Sequence, residues 1–189
     1  KIYGEKKTGH TGTLDPMATG VLPVALGKAA RFISFLPDHD KSYTAHMKFG
    51  ITTDTLDITG KVLSERRADI LSSQLEAVLG EFRGHIKQVP PMYSALSKDG
   101  VKLYTLARQG IEVEREAREV DIFSLSLTGE DENGFEISVD CSQGTYIRSL
   151  IADIGERLGC GAVMTALRRT SSNGFTLANA FTEDEIRSS

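Results

Sequence analysis

The sequence predicts an α+β fold in which a largely antiparallel, mixed sheet is flanked by helices, and not a doubly wound parallel sheet. The first observation is a long hairpin over residues 119–142. Phe123, Leu125 and Leu127 alternate with polar residues on one arm, Phe135, Ile137, Val139 and Cys141 do so on the other, and Glu130 to Gly134 forms the turn. The second is a half-buried strand in which Tyr43, Ala45, Met47 and Phe49 alternate with Thr44, His46 and Lys48. The third is that strand-like segments outnumber the few with helical spacing.

Taken in order, residues 9–20 (GHTGTLDPMATG) are dense in Gly, Thr and Pro and read as an ordered loop. Val21 to Leu26 is a short apolar run that Pro23 marks as an edge strand. Ala29, Phe32, Ile33 and Leu36 recur at helical spacing, and Pro37 ends that helix. After the strand over 43–49, Asp57-Ile58-Thr59-Gly60 is a turn into a strand at Lys61 to Ser64. Residues 72–83 place Leu75, Val78, Leu79 and Phe82 on one helical face. Pro90-Pro91 forces extended chain, and 101–109 is a short helix closed by Gly110. Beyond the hairpin, Ile147, Leu150, Ile151, Ile154 and Leu158 form an apolar helical stripe ended by Gly159, and Ala162 to Leu167 is a further strand. There are no repeats and no linker.

The 189 residues suffice for one domain with a hydrophobic core, and 40% apolar with 25% charged residues is ordinary for a soluble protein. No run approaches the roughly 20 apolar residues of a membrane span. Cys141 and Cys160 match no zinc ribbon and no Cys-x-x-Cys pair, so they read as reduced core thiols of a cytoplasmic protein. A net charge of −4 argues weakly against a nucleic-acid binder. Its distribution alters that argument. Residues 1–110 carry 15 Lys and Arg against 11 Asp and Glu, whereas residues 111–189 carry 7 against 15. The basic excess lies in the half that holds the Gly-rich loop, where a local basic face can bind phosphates.

Within that loop Asp15 precedes Pro16. Proline fixes its own φ and pushes the preceding residue into extended conformation, so the carboxylate is held stiffly. Taken alone, a loop aspartate is most simply a turn former. Other chemistries fail on spacing. Gly27-Lys28 is followed by Ala29 where a phosphate-binding loop needs Ser or Thr, and Leu22 stands where its first glycine belongs. His10, His39, His46 and His85 show no ligand spacing, Asp38-His39-Asp40 reads as a solvated turn, and no Gly-x-Ser-x-Gly elbow exists.

The segment GHTGTLDPMATGVLPVALGKAAR resembles the signature of the TruB family of tRNA pseudouridine synthases. Lys41-Ser42-Tyr43, the segment TDTLDITG at 53–60, QVPPMYSAL at 88–96, CSQGTYIR at 141–148, LGCGA at 158–162 and Leu167-Arg168-Arg169 resemble further family segments in the family's order. The resemblance covers nearly the whole chain. It implies a pseudouridine-synthase-like fold with an RNA-binding cleft, and isomerisation of the uridine at position 55 in the tRNA T-loop. It implies no cofactor and no metal, and the T-arm of tRNA as partner of a monomeric, cytoplasmic enzyme. Asp15 is then the nucleophile, with base C6 and sugar C1′ both open as its point of attack.

The family pairs this carboxylate with the Arg of Gly-Thr-Tyr-Ile-Arg, here Arg148. The residues agree. Arg148 falls in the first turn of its helix, where the dipole disfavours a cation, and it sits beside the apolar stripe, so it needs an anion, either Asp15 or an RNA phosphate. Tyr43 is placed by the resemblance against the target uracil, stacking on it and assisting proton transfer from C5. The uridine must be flipped out of the T-loop, which calls for an aromatic or apolar slot. Tyr43, Tyr146 and Leu167 are its lining candidates, and His10 matches the histidine that fills the gap left by the flipped nucleotide. Lys28, Arg31, Lys41, Arg168 and Arg169 are candidate phosphate contacts. Asp57 matches an acidic position near the site and is equally readable as a turn residue.

Residues 1–189 read as one catalytic domain. The resemblance implies a strand and helix ahead of Lys1, a thumb-like region over roughly 50–115, and a small RNA-binding PUA-type domain beyond Ser189. Ser97 stands where the family usually has Lys, and Lys98 follows it. Two alternatives remain beside the enzyme: an RNA-binding or tRNA-folding module, and a guide-RNA-dependent relative.

Overall fold

A computed structural model of the chain describes residues 2–36 and 40–188. Pro37, the expected helix stop, and Asp38 and His39 of the acidic turn lie outside the described residues. In chain order, β1 (Thr8–His10), β2 (Thr19–Gly20), β3 (Val24–Leu26) and a 3-10 helix (Gly27–Phe35) carry the Gly-rich region. Next come β4 (Lys41–Phe49), β5 (Ile51–Thr53), β6 (Val62–Glu65), α1 (Ser72–Glu81) and β7 (Gly84–Gln88). After Pro90-Pro91 follow β8 (Ser97–Lys98), β9 (Val101–Lys102) and α2 (Leu103–Arg108). The chain continues through β10 (Arg118–Asp131), β11 (Gly134–Cys141), α3 (Ile147–Arg157) and β12 (Ala162–Ser172). It ends with β13 (Phe175–Thr176), a 3-10 turn (Leu177–Asn179) and α4 (Glu183–Ser188).

A seven-stranded sheet organises the molecule in the order β13-β12-β4-β11-β10-β7, with β2 added against β12. β2 runs parallel to β12 and every other neighbour is antiparallel, so the sheet is mixed through one short strand. Period-2 patterning makes it one-sided. Tyr43, Ala45, Met47 and Phe49 on β4 and Phe135, Ile137, Val139 and Cys141 on β11 are all buried, while their alternates stay partly or fully accessible. Leu75 and Leu79 of α1 and Ile147, Leu150, Ile151 and Ile154 of α3 cover that apolar face. Each fully buried aliphatic there contributes enough that truncation to Ala would cost roughly 2–5 kcal/mol. Gly155 lets α3 lie close on the sheet: a Cβ at that position would fall 2.3 Å from the Ala162 backbone nitrogen. Cys141 and Cys160 are both free and buried. Burial is the largest cause that pushes the Cys141 thiol up to about 11, so it stays protonated at neutral pH.

Several elements differ from the sequence reading. Within the expected loop over 9–20, β1 and β2 take both ends, and the edge strand begins only after Pro23, as β3 paired with β1. The segment 27–35 is a 3-10 helix with no buried residue; Phe32 and Phe35 are exposed. Without burial of the apolar stripe, the packing that stabilises most α-helices is missing. The helix expected over 101–109 spans only 103–108, because Val101 and Lys102 pair with β8. In the hairpin a β-bulge between Ile122 and Ser124 resets the alternation, burying Ile122 and Leu125 and turning Phe123 outward. β12 runs on to Ser172, five residues past the expected end, and β5, β7, β13 and α4 had no sequence signal strong enough to read.

Asp153 on α3 faces a groove of about 560 Å³ that Asp54, Glu112, Arg115 and Glu156 also line. Burial first, and Glu156 second, push its carboxyl up to about 6. Its folded pKa thus lies above the unfolded one. The associated stability is complete below about pH 4 and is lost as pH rises through about 6. Asp153→Asn is therefore expected to raise Tm at pH 7 and to give little gain near pH 4. Thermal denaturation at the two pH values tests this; an equal gain at both would remove the linkage.

Candidate active site

The loop between β1 and β2 makes a tight turn in which the Ala18 N–H donates to the Asp15 carbonyl at 2.9 Å. Pro16 occupies the second position of that turn, where its fixed φ is favourable. The turn reading of Asp15 is therefore correct for its backbone. Its side chain leaves the turn toward α3, while Met17 and Ala18 pack against the core and anchor the turn.

Arg148, one residue into α3, receives that carboxylate. Its Nε donates to Asp15 Oδ2 at 2.7 Å and its Nη2 to Asp15 Oδ1 at 2.7 Å, a bidentate fork. Nη1 donates to the Thr55 carbonyl at 2.9 Å and Nη2 to the Tyr93 carbonyl at 2.8 Å. The Arg148 side chain is only 4% exposed and that of Asp15 is 29% exposed. A guanidinium this deep needs a full set of acceptors, and breaking such a pair costs about 3–5 kcal/mol. The cation is sealed in the protein while the anion keeps an open side.

Asp57 completes the electrostatics. It is buried, with Oδ2 4.0 Å from Arg148 Nε. Its Oδ1 accepts from the Thr55 hydroxyl, the Thr59 amide and the Thr59 hydroxyl at 2.9, 2.9 and 2.5 Å. Asp57 thus shapes its turn and also stands beside the buried guanidinium.

The open side of Asp15 faces a cavity of about 100 Å³ whose walls include Leu14, Tyr43, Tyr146, Ile147, Arg148 and Leu167. The structure thus brings Asp15, Tyr43, Tyr146, Arg148 and Leu167 together. Burial, the largest cause, pushes the Tyr43 phenol up to about 12, with Arg169 opposing it. The resting phenol is therefore a hydrogen-bond donor at neutral pH. Tyr146 is raised too, again chiefly by burial.

The basic residues separate into two groups. Lys28, Arg31 and Arg168 are exposed. Lys41 and Arg169 are buried, at 8% and 1% exposure. His10 is exposed and its Nδ1 accepts the Gly12 N–H at 3.3 Å, at the edge of the loop and outside the cavity wall. Among the described residues no group of three His, Cys, Asp or Glu side chains is placed to hold a metal ion.

Sequence reasoning assigned no role to Gln88, which the structure places at the helix start. Its Oε1 accepts the Tyr146 N–H at 2.8 Å and its Nε2 donates to the Tyr146 carbonyl at 3.1 Å. This buried amide fixes the residue two before Arg148. A lone Gln at a strand end, just ahead of Pro90-Pro91, was the available signal. Gln88→Ala is expected to leave the Tyr146 N–H unpaired, while its carbonyl still accepts from the Leu150 N–H at 3.0 Å, and to lower stability by about 2 kcal/mol. Urea denaturation measures this, and a loss near zero would show that water replaces the clamp.

The family model for the TruB family pseudouridylate synthase N-terminal domain matches residues 1–147, and that for the tRNA pseudouridylate synthase B C-terminal domain matches residues 148–189. The junction falls inside α3, and β12 of the second part pairs with β4 of the first, so the two share one sheet. The chain is 58% identical over 176 residues to tRNA pseudouridine synthase B of Chromobacterium violaceum, covering 93% of this chain and 58% of that one. It is 51% identical over 185 residues to the protein of that name from Pseudomonas fluorescens (98% and 61%), and 50% over 189 residues to that from Azoarcus sp. (100% and 63%). It therefore spans about three-fifths of the length of these curated relatives. Among solved structures it resembles a chain of a Cbf5-Nop10-Gar1 complex, with a TM-score of 0.68 and 34% identity over 90% of this chain and 42% of that one. A chain of an H/ACA RNP bound to a substrate RNA containing 2′-deoxyuridine matches with a TM-score of 0.65 and 31% identity over 93% and 41%. The chain belongs to the TruB family of pseudouridylate synthases.

Proposed function

We propose that this member of the TruB family isomerises the uridine at position 55 of the tRNA T-loop to pseudouridine, with Asp15 as the nucleophile. The observation that carries the reading is the bidentate Arg148–Asp15 pair at the floor of a cavity walled by Tyr43, Tyr146 and Leu167. The target nucleotide flips out of the T-loop and its base enters between these side chains. Arg148 engages one lone pair on each Asp15 oxygen, which aims the carboxylate and leaves the outward lone pairs to attack. The N1–C1′ bond breaks, the base turns, and a C5–C1′ bond forms; the bond that Asp15 makes, to base C6 or to sugar C1′, breaks again and returns the free carboxylate. The C5 proton departs and N1 gains one, so substrate and product are isomers and no oxidant or hydrolytic water is consumed. Tyr43 lies against the base, and its hydroxyl relays the C5 proton, taking it up as it gives up its own.

The partner on this reading is the T-arm of tRNA, with Lys28, Arg31 and Arg168 toward its phosphates and His10 at the gap left by the flipped nucleotide. Two buried free thiols fit a reducing cytoplasm. Among the described residues no helix is long and apolar enough to cross a membrane. The relatives at 50–58% identity are tRNA pseudouridine synthases, while the guide-complex chains stand at 31–34%. That gap favours direct action on tRNA.

With unmodified T-arm RNA, the complete wild-type protein is expected to form pseudouridine and Asp15→Asn essentially none, while RNA binding persists. Normal turnover by the Asn variant would overturn the nucleophile. Arg148→Lys keeps the charge and loses the fork. Its single-turnover rate is expected to fall at least about 10²-fold with folding retained, since small misplacements of a reacting group cost that much. A wild-type rate would remove Arg148 as the group that aims Asp15.

A further inference from the structure

Arg169 is among the largest side chains completely enclosed by the protein, and no step above uses it. Its Nε donates to the Val21 carbonyl at 2.7 Å, its Nη1 to the Thr13 carbonyl at 3.3 Å and its Nη2 to the Gly12 carbonyl at 3.3 Å. These acceptors lie on the two sides of the loop that carries Asp15. The backbone of the same residue grips the loop as well: the Val21 N–H donates to the Arg169 carbonyl at 2.8 Å, and Gly20 pairs with Arg169 in the sheet. Only glycine fits there, because Gly20 has φ +103° and a Cβ would fall 2.1 Å from the Arg169 carbonyl oxygen.

On its other side Arg169 is the cross-strand partner of Tyr43, Cα opposite Cα in the β12–β4 ladder. The guanidinium draws the Tyr43 phenol's pKa downward, against the larger upward effect of burial. Two residues earlier on the same strand, Leu167 forms a cavity wall. One side chain thus touches both the loop bearing Asp15 and the strand bearing Tyr43. Its hydrogen-bond acceptors are three carbonyls, and among the described residues it forms no salt bridge to a carboxylate. A buried cation without an anion is a costly way to gain stability alone.

We infer that Arg169 is a positioning residue: it closes the Asp15 loop into a fixed ring and sets the distance between Asp15 and Tyr43. This rests on the function proposed above but makes a separate claim. Arg148 orients the carboxylate, and Arg169 fixes the backbone from which that carboxylate projects.

The test compares wild type with Arg169→Lys, which retains the charge and cannot span both sides of the loop, in the complete protein. Three quantities are measured: the single-turnover rate at saturating T-arm RNA, the Kd for the same RNA, and amide hydrogen exchange across residues 9–21. The rate is expected to fall roughly 10- to 100-fold, as for a reacting group displaced by about 1 Å. Kd is expected to change little, and amides of residues 12–15 are expected to exchange faster. Weaker binding with an unchanged saturating rate would overturn the inference in favour of a phosphate contact. A lower Tm with a wild-type rate per folded molecule would overturn it in favour of a structural role alone. Arg169→Met, carrying no charge, should lose at least as much rate as Arg169→Lys; a faster Met variant would also contradict positioning by the fork. If wild type made no pseudouridine, the functional proposal would fail, while unchanged exchange in Arg169→Lys would separately refute the clamp.

Discussion

A guanidinium taken out of water is the constraint on which the site depends. Arg148 lies in the first turn of α3, where the helix dipole opposes it, and almost none of its side chain meets solvent. Such a charge is tolerable only when its donors meet acceptors in good geometry. Here the acceptors come from three places far apart in sequence: the Asp15 carboxylate, the Thr55 carbonyl and the Tyr93 carbonyl. Asp57 adds a second negative charge nearby. Removing any of these contacts leaves part of a buried cation unpaired, so the loop at 15, the turn at 55–57 and the extended chain at 93 are tied to one helix end. Gln88 secures that end from behind through the Tyr146 backbone.

Preorganisation then follows from two arginines with different jobs. One binds the side chain of Asp15 and the other the backbone that carries it. A carboxylate on a free loop would sample many directions, and each productive encounter would carry an entropic cost. Pro16 removes part of that freedom locally, the turn hydrogen bond from Ala18 removes more, and the carbonyl contacts of Arg169 fix the loop to β12. What stays free is the direction in which Asp15 meets solvent. On the proposed function, that is the direction from which the base arrives.

The fold was legible in the sequence where one periodicity persisted. β4, β11 and α3 carry patterns of seven or more residues, and those elements form where expected. Failures have local causes. The bulge at Phe123 shifts a period-2 pattern by one residue, which alternation alone cannot foresee. The stripe over 29–36 has helical spacing and stays exposed, so the property that makes spacing predictive is missing. At the site, the pairing of Asp15 with Arg148 was expected from the family resemblance; the residues alone gave a stiffened carboxylate, most simply a turn former, and a cation in need of an anion. The burial of Arg169 was not readable, because an arginine on a strand is ordinarily a surface residue. Its real partners are carbonyl oxygens, which every residue has and which leave no mark on the sequence. The Thr55 and Tyr93 carbonyls were invisible for the same reason.

Total charge was the weakest of the sequence arguments, and strand order explains why. The basic Arg168 stands on β12, while Glu119, Asp121, Glu130 and Asp131 belong to β10. β4 and β11 lie between them in the sheet. Three inter-strand steps of about 4.8 Å separate β12 from β10 by roughly 14 Å. That exceeds the screening length of about 8 Å at physiological ionic strength, so exposed carboxylates on β10 contribute little to the potential at the β12 side. A phosphate approaching Arg168 responds to its neighbourhood, not to the sum over 189 residues. An acidic total is therefore no argument against phosphate binding beside Arg168.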